Sequence, residues 1–230
     1  REGNMKSYDV VIIGSGCGGG SIALQLAGSK ARTLILERGQ SLPREAQNWE
    51  PEAVFGQRRY HTDETWWADN EAFKPGMFYY VGGNTKFYGA AMFRFREKDF
   101  GEVVHEEGVS PAWPITYSDL EPWYGQAESL FGVRGLGGAD PTDPPRSKDY
   151  DLAPVPHEAL MKDIEQRLRQ NGLKPFPMPC AVDFGAGGRC QRCENCDAFP
   201  CQIDAKGDAE IKLIQPATAH SNVELKTGAQ

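Results

Sequence analysis

What the chain lacks narrows its function first. No apolar run of about 18 residues occurs in the 230-residue sequence, the minimum for a spanning helix, so no membrane span is expected. Basic residues are outnumbered 25 to 32, giving a formal net charge of −7. A nucleic-acid partner, which calls for a basic patch, is therefore not expected either. The opening stretch, Arg1 to Ser7, has no apolar core of a secretory leader, and a cytoplasmic location is the expectation. Histidine is scarce. His61, His105, His157 and His220 fall in no motif, and isolated histidines of this kind are usually solvated or hydrogen-bonded. There is no internal repeat or low-complexity tract. What remains is an ordinary globular composition, 40% hydrophobic and 25% charged, in a length that suits one large domain or two small ones.

The pattern of elements begins with Tyr8–Ile13 (YDVVII), a β-branched run bounded by glycine that reads as a buried strand. A glycine cluster at 14–20 leads into a helix with Ile22, Ala23, Leu26 and Ala27 on one face, and Thr33–Leu36 (TLIL) reads as a second buried strand. Residues 8–40 thus form a βαβ unit. Residues 40–80, rich in Trp, Pro and Tyr, read as an excursion, in which Trp66-Trp67 and Phe78-Tyr79-Tyr80 either line a ligand cleft or, as such clusters more often do, belong to the core. A helix is predicted over Ser118–Val133, with Ser118 and Glu121 at capping-box spacing and Pro122 in the first turn. A second is predicted over His157–Gln170, with Leu160, Ile164 and Leu168 in register. Between them, Gly135–Pro156 is dense in Gly, Pro and Asp and reads as a linker. The type of Ala209–Ala219 is left open, and Asn222–Thr227 alternates like a strand that returns to the first sheet.

Gly14-Ser15-Gly16-Cys17-Gly18-Gly19 is a G-x-G-x-x-G placed between a strand and a helix. Gly14 permits the tight turn, Gly16 lets backbone approach a pyrophosphate, and Gly19 lets the helix close on the sheet. The helix N-terminus then offers N–H groups and the positive end of its dipole to phosphate. Glu37 stands at the end of the second strand, where a carboxylate can accept from a ribose diol, and Arg38 follows it. The pattern serves NAD and FAD alike. Cys17, within this loop, reads as a small packing residue.

Two further segments carry a resemblance. Val81-Gly82-Gly83-Asn84-Thr85-Lys86-Phe87-Tyr88-Gly89-Ala90-Ala91 resembles the first signature of the glucose–methanol–choline oxidoreductases. Ala112-Trp113-Pro114-Ile115-Thr116-Tyr117-Ser118-Asp119-Leu120-Glu121-Pro122-Trp123-Tyr124 is similar to that family's "WP…DLEPYY" stretch. With the βαβ unit, three matches stand in family order. The resemblance implies FAD rather than NAD, and an α/β fold: a Rossmann-like FAD-binding domain with inserted excursions, truncated before the C-terminal substrate and catalytic region. It further implies that Gly82, Gly83, Asn84 and Thr85, in a flavin-contacting segment at 81–96, join Gly14, Gly16, Gly19, Glu37 and Arg38 as cofactor-binding residues. Tyr88 stands where the family has Asn. In the family the proton-abstracting His, with a second His or Asn, lies near the far C-terminus; nothing here matches those positions, and catalytic residues stay unassigned. The implied reaction is oxidation of an alcohol or sugar CH–OH group, with electrons leaving to oxygen, a quinone or an electron-acceptor protein. A non-catalytic FAD- or metal-binding module and an NAD(P)-dependent dehydrogenase are the rival readings.

Of six cysteines, four crowd one segment, 186–206: Cys190-x2-Cys193-x2-Cys196-x4-Cys201. The run resembles a ferredoxin spacing, although its last interval is longer and Pro200 precedes the final cysteine. Three readings stand together: an iron–sulfur cluster, a zinc site, or reduced, structural or disulfide-paired cysteines. Cys180 reads as a lone buried thiol.

Overall fold

A computed structural model describes residues 6–229. In chain order its elements are β1 (Val10–Ile13), α1 (Cys17–Leu26), β2 (Thr33–Leu36), β3 (Trp66–Ala68), β4 (Glu71–Phe73), β5 (Val103–His105), β6 (Gly108–Ser110), α2 (Tyr117–Phe131), β7 (Val133–Arg134), α3 (Ala159–Gln170), β8 (Cys180–Ala181), α4 (Gln215–Thr218) and β9 (Val223–Lys226). They fall into two compact units. One runs up to Gly89 and resumes at Arg189; the other is Ala90–Gly188. The boundary at Gly89 cuts through the 81–96 segment.

The first unit is built on a parallel sheet in the order β1-β2-β9. Parallel neighbours need a crossover between them, and α1 supplies the one from β1 to β2. Asn222–Thr227 does return to this sheet, as β9 beside β2. The open stretch at 209–219 is helical: a wide turn over Glu210–Ile214 continues into α4, with Pro216 just past the point where the wide turn passes into α-helix. Ile12, Ile35 and Val223 from the sheet meet Ala23, Ile214 and Ala217 from the helices, with Val81 completing the cluster. Two expectations change here. In β1 only Ile12 is buried, and Ile13 is 87% exposed, because the helices cover one face of the sheet among the described residues. Trp66 and Trp67 lie on an exposed hairpin, β3–β4, with Trp67 71% exposed. Its turn residues Asp69 and Asn70 take the left-handed conformation that short polar side chains tolerate.

The second unit holds the hairpin β5–β6, the pair β7–β8, and helices α2 and α3. The cap of α2 is Thr116 with Asp119, not Ser118 with Glu121: Thr116 Oγ1 accepts from the Asp119 N–H, and the Asp119 carboxylate accepts from the Thr116 N–H at 2.8 Å. Glu121 is engaged elsewhere, accepting from Ser147 N–H at 2.9 Å and Arg94 at 3.0 Å. Starting one residue earlier, the helix places Pro122 beyond its first turn. In α3 no residue is buried, so the Leu160–Ile164 stripe is uncovered among the described residues. Cys180 is buried, as read from the sequence.

The interior of this unit is ionic. The buried Glu128 carboxylate accepts both arms of Arg94 at 2.8 Å and both of Arg146 at 3.0 and 3.1 Å, while Arg146 Nε donates to Asp143 at 2.8 Å. Two guanidiniums meet on this one carboxylate, each also paired with a second acid, Glu121 for Arg94 and Asp143 for Arg146. Removing one partner of a buried pair typically costs ~3–5 kcal/mol. Glu128→Ala is therefore expected to lower the unfolding free energy of the full protein by about that amount, read as a shift of the urea midpoint at constant slope.

Candidate cofactor-binding site

The glycine loop does what its spacing predicts. Gly14 has φ of +91°, the turn out of β1. A Cβ on Gly19 would sit 2.0 Å from the Gly14 carbonyl oxygen and 3.0 Å from Ile12, so no side chain fits where α1 meets the sheet. A Cβ on Gly16, by contrast, would meet nothing within 4 Å. No side chain caps α1, and its first turn holds no acid. The space and the N–H donors needed by a pyrophosphate are both present, and the loop fits such a group.

The loop opens onto a cavity of about 500 Å³ within the first unit. One wall is the loop itself with Cys17; another is the end of β2, Leu36 to Arg38; the rest is Met77–Tyr79 and Gly82–Thr85. Of the residues nominated from sequence, all but Gly19 line this cavity, and Gly19 packs behind it. Cys17 is exposed here, so the packing role expected for it is replaced by a place on the groove wall. The excursion's end reaches this spot because Gly39 lacks a side chain: a Cβ there would lie 1.9 Å from the Tyr79 carbonyl oxygen.

Glu37 is only 6% exposed. Its Oε2 accepts from Ser15 N–H at 2.9 Å and Ser15 Oγ at 2.6 Å, and its Oε1 accepts from Gly39 N–H at 2.8 Å. An ionised carboxylate has about four acceptor sites, which leaves one for a ligand hydroxyl. Ser15 Oγ in turn accepts from Gly82 N–H at 3.1 Å. Arg38 is tied to the wall: its guanidinium lies 3.8 Å from the centre of the Tyr79 ring and pairs with Glu64, which also accepts from Tyr79 OH at 2.6 Å. The side chains of the 82–85 turn are likewise used to shape it. Asn84 Oδ1 accepts from Phe78 N–H at 3.1 Å, and Thr85 Oγ1 donates to the Gly82 carbonyl at 2.6 Å while accepting from Ala209 N–H at 3.0 Å.

Two buried lysines stand behind that turn, and neither was nominated from sequence. Lys86 Nζ donates to Asp208 at 3.1 Å and Glu210 at 2.6 Å. Burial alone would lower its pKa, but the two carboxylates outweigh it and raise the value. Lys206 donates only to backbone carbonyls, and burial lowers its pKa. No local pattern marks either residue: Lys86 pairs with Asp208, 122 positions away, and Lys206 bonds only main-chain carbonyls among the described residues, one of them 118 positions away.

The cysteine run is in the same unit, and its four thiols are in no disulfide. The Cys196 pKa is raised: burial pushes it up, Lys206 pulls it down, and Cys193, Cys190 and Cys201 push it up. Among the described residues no group of three or more His, Cys, Asp or Glu is arranged to hold a metal ion. The loop bends through left-handed backbone at four non-glycine residues, Arg192, Glu194, Ala198 and Asp204. In the second unit, a cavity of about 390 Å³ at Gly137–Asp149 holds Arg146 and Asp143, which already pair with each other. Among the described residues no helix is long and apolar enough to cross a membrane.

No family model matches the chain. It is similar to 6'''-hydroxyparomomycin C oxidase of Streptomyces lividus, 33% identical over 233 residues, covering 98% of this chain and 41% of that protein. The large subunit of fructose dehydrogenase of Gluconobacter japonicus is 28% identical over 225 residues, covering 86% and 41%. In fold it is similar to pyridoxine 4-oxidase from Mesorbium loti, with a TM-score of 0.54 at 17% identity, over 96% of this chain and 42% of the other. The chain spans about two-fifths of the length of these relatives. A glycine loop, an acid at the end of β2 and a second glycine pair facing them, in a chain with these relatives, lead to one assignment: the chain belongs to the glucose–methanol–choline family of FAD-dependent oxidoreductases, as an N-terminal portion.

Proposed function

We propose that the cavity between the glycine loop and the 82–85 turn holds FAD, and that the whole protein oxidises a CH–OH group of an alcohol or sugar. The observation that carries this reading is the convergence of Gly14–Cys17, Glu37 and Gly82–Thr85 on one space of about 500 Å³, a size usual for cofactor sites. Gly16 and the N-terminus of α1 take the pyrophosphate. Glu37, already oriented by Ser15 and Gly39, accepts from the ribose hydroxyls. The Arg38–Tyr79–Glu64 group closes the side of the groove next to Glu37, and Gly82 and Gly83 present backbone without bulk. Bound there, FAD would supply the hydride acceptor for the substrate carbon. The chain's own part is to bind, orient and screen it.

The test is the flavin itself. Full-length protein is expected to carry FAD absorbance and to reduce a dye acceptor with sugars or aminoglycoside-type alcohols. A protein that binds NAD(P) and no flavin would overturn the cofactor, and flavin without turnover of any alcohol would favour a binding module. Glu37→Ala is expected to weaken FAD binding by about 1.5–3 kcal/mol, the worth of a hydrogen bond to a charged group, read by fluorescence titration of the FAD-stripped full-length protein. Unchanged affinity would remove Glu37 from the ribose site.

The cysteine loop supports a second cofactor and, through it, an electron-acceptor protein. What favours it is four free thiols of soft-ligand chemistry within twelve residues, on a loop whose left-handed non-glycine residues persist only where the surroundings over-determine them. The donor set suits an iron–sulfur cluster in kind. Anaerobically purified full-length protein is then expected to contain iron and acid-labile sulfide, both abolished by Cys193→Ser. Zinc alone would mean a structural clip without redox chemistry, and neither metal would leave a purely structural loop.

A further inference from the structure

We infer that Lys206 is a positioning residue that joins the four-thiol loop to the 82–88 wall of the groove, so that cofactor occupancy and thiol accessibility are coupled. The inference rests on the groove being the FAD site. Lys206 is 2% exposed, and its Nζ donates to the carbonyls of Tyr88 at 2.6 Å, Cys196 at 2.7 Å and Phe199 at 2.7 Å, with Lys86 O at 3.4 Å. An ammonium has three donors. The three short bonds use them all, two on the cysteine loop and one on the groove side.

No carboxylate hydrogen-bonds this cation among the described residues. An apolar side chain would fill the volume without the desolvation cost of an ammonium, so what the lysine adds is position: one point bonded to two loops. Weaker ties run parallel to it. Tyr88 OH donates to the Gly207 carbonyl at 2.6 Å, and Ala198 N–H donates to the Phe87 carbonyl at 2.8 Å. Beyond the lysine, the chain passes directly to Asp208, Ala209 and Glu210, which hold Lys86 and Thr85. If the cysteine loop opens at Cys196 or Phe199, Lys206 loses bonds that fix its ammonium against the Tyr88 carbonyl, four residues from the groove-lining Asn84.

Coupling between sites is reciprocal and typically 5–150-fold, which sets the test. Chelator-treated full-length protein is exposed to iodoacetamide with and without FAD, and alkylation is scored cysteine by cysteine by mass spectrometry. FAD is expected to slow reaction at Cys196 and Cys201 by at least about fivefold. Lys206→Met should bind FAD yet lose that protection, and Lys206→Arg, which keeps charge and donors, should restore part of it. Since Lys206→Met risks the fold, the wild-type comparison decides first: FAD bound with unchanged rates at Cys196 and Cys201 overturns the inference. Protection that persists in a folded Lys206→Met or is absent from a folded Lys206→Arg removes the lysine's role. Failure of FAD to bind wild-type protein would instead overturn the FAD reading.

Discussion

The Glu37 carboxylate is the point on which the groove depends. It ends β2, yet its two oxygens hold the backbone of the glycine loop through Ser15 and the start of the excursion through Gly39. Ser15 Oγ carries the chain of bonds on to Gly82. Three segments distant in sequence are fixed by one buried anion and one hydroxyl. A buried polar group without hydrogen-bond partners is costly, and meeting that need brings the walls of the groove together. The acid thus shapes the groove it lines.

The same logic, with the sign reversed, governs the far side of the 82–85 turn. Lys86 and Lys206 are cations withdrawn from water, and each recruits oxygen from segments more than a hundred positions away. Their partners dictate where the 206–210 segment lies, and that segment opens the helical stretch that covers the sheet. Groove, cysteine loop and sheet therefore share a polar framework, while the apolar cluster of Ile12, Ile35, Ile214 and Val223 supplies the undirected part of the stability.

The Ala90–Gly188 unit uses charge differently. Its buried Glu128 gathers two arginines into a closed network, and its cavity is lined by groups already paired. The cofactor-binding residues nominated from sequence all fall in the first unit instead.

Sequence by itself determined what short-range physics controls. Strand, glycine turn, helix and strand follow from a β-branched run, three glycines and an apolar face, all within 8–40, and the acid at the end of β2 follows from counting. The thiol spacing was equally plain, since four cysteines within a dozen residues cannot be far apart. Tertiary structure alone decided the rest. Ser15 occupies a variable position of the motif, and its bonds to Glu37, 22 residues on, and Gly82, 67 residues on, give it its role. Thr116 rather than Ser118 caps α2 because Glu121 was claimed by Ser147 and Arg94. Trp67 and Ile13 are exposed because burial depends on what packs above a residue, and hydrophobicity cannot report that. Lys206 was invisible because its partners are main-chain carbonyls, which every residue possesses and no sequence pattern marks.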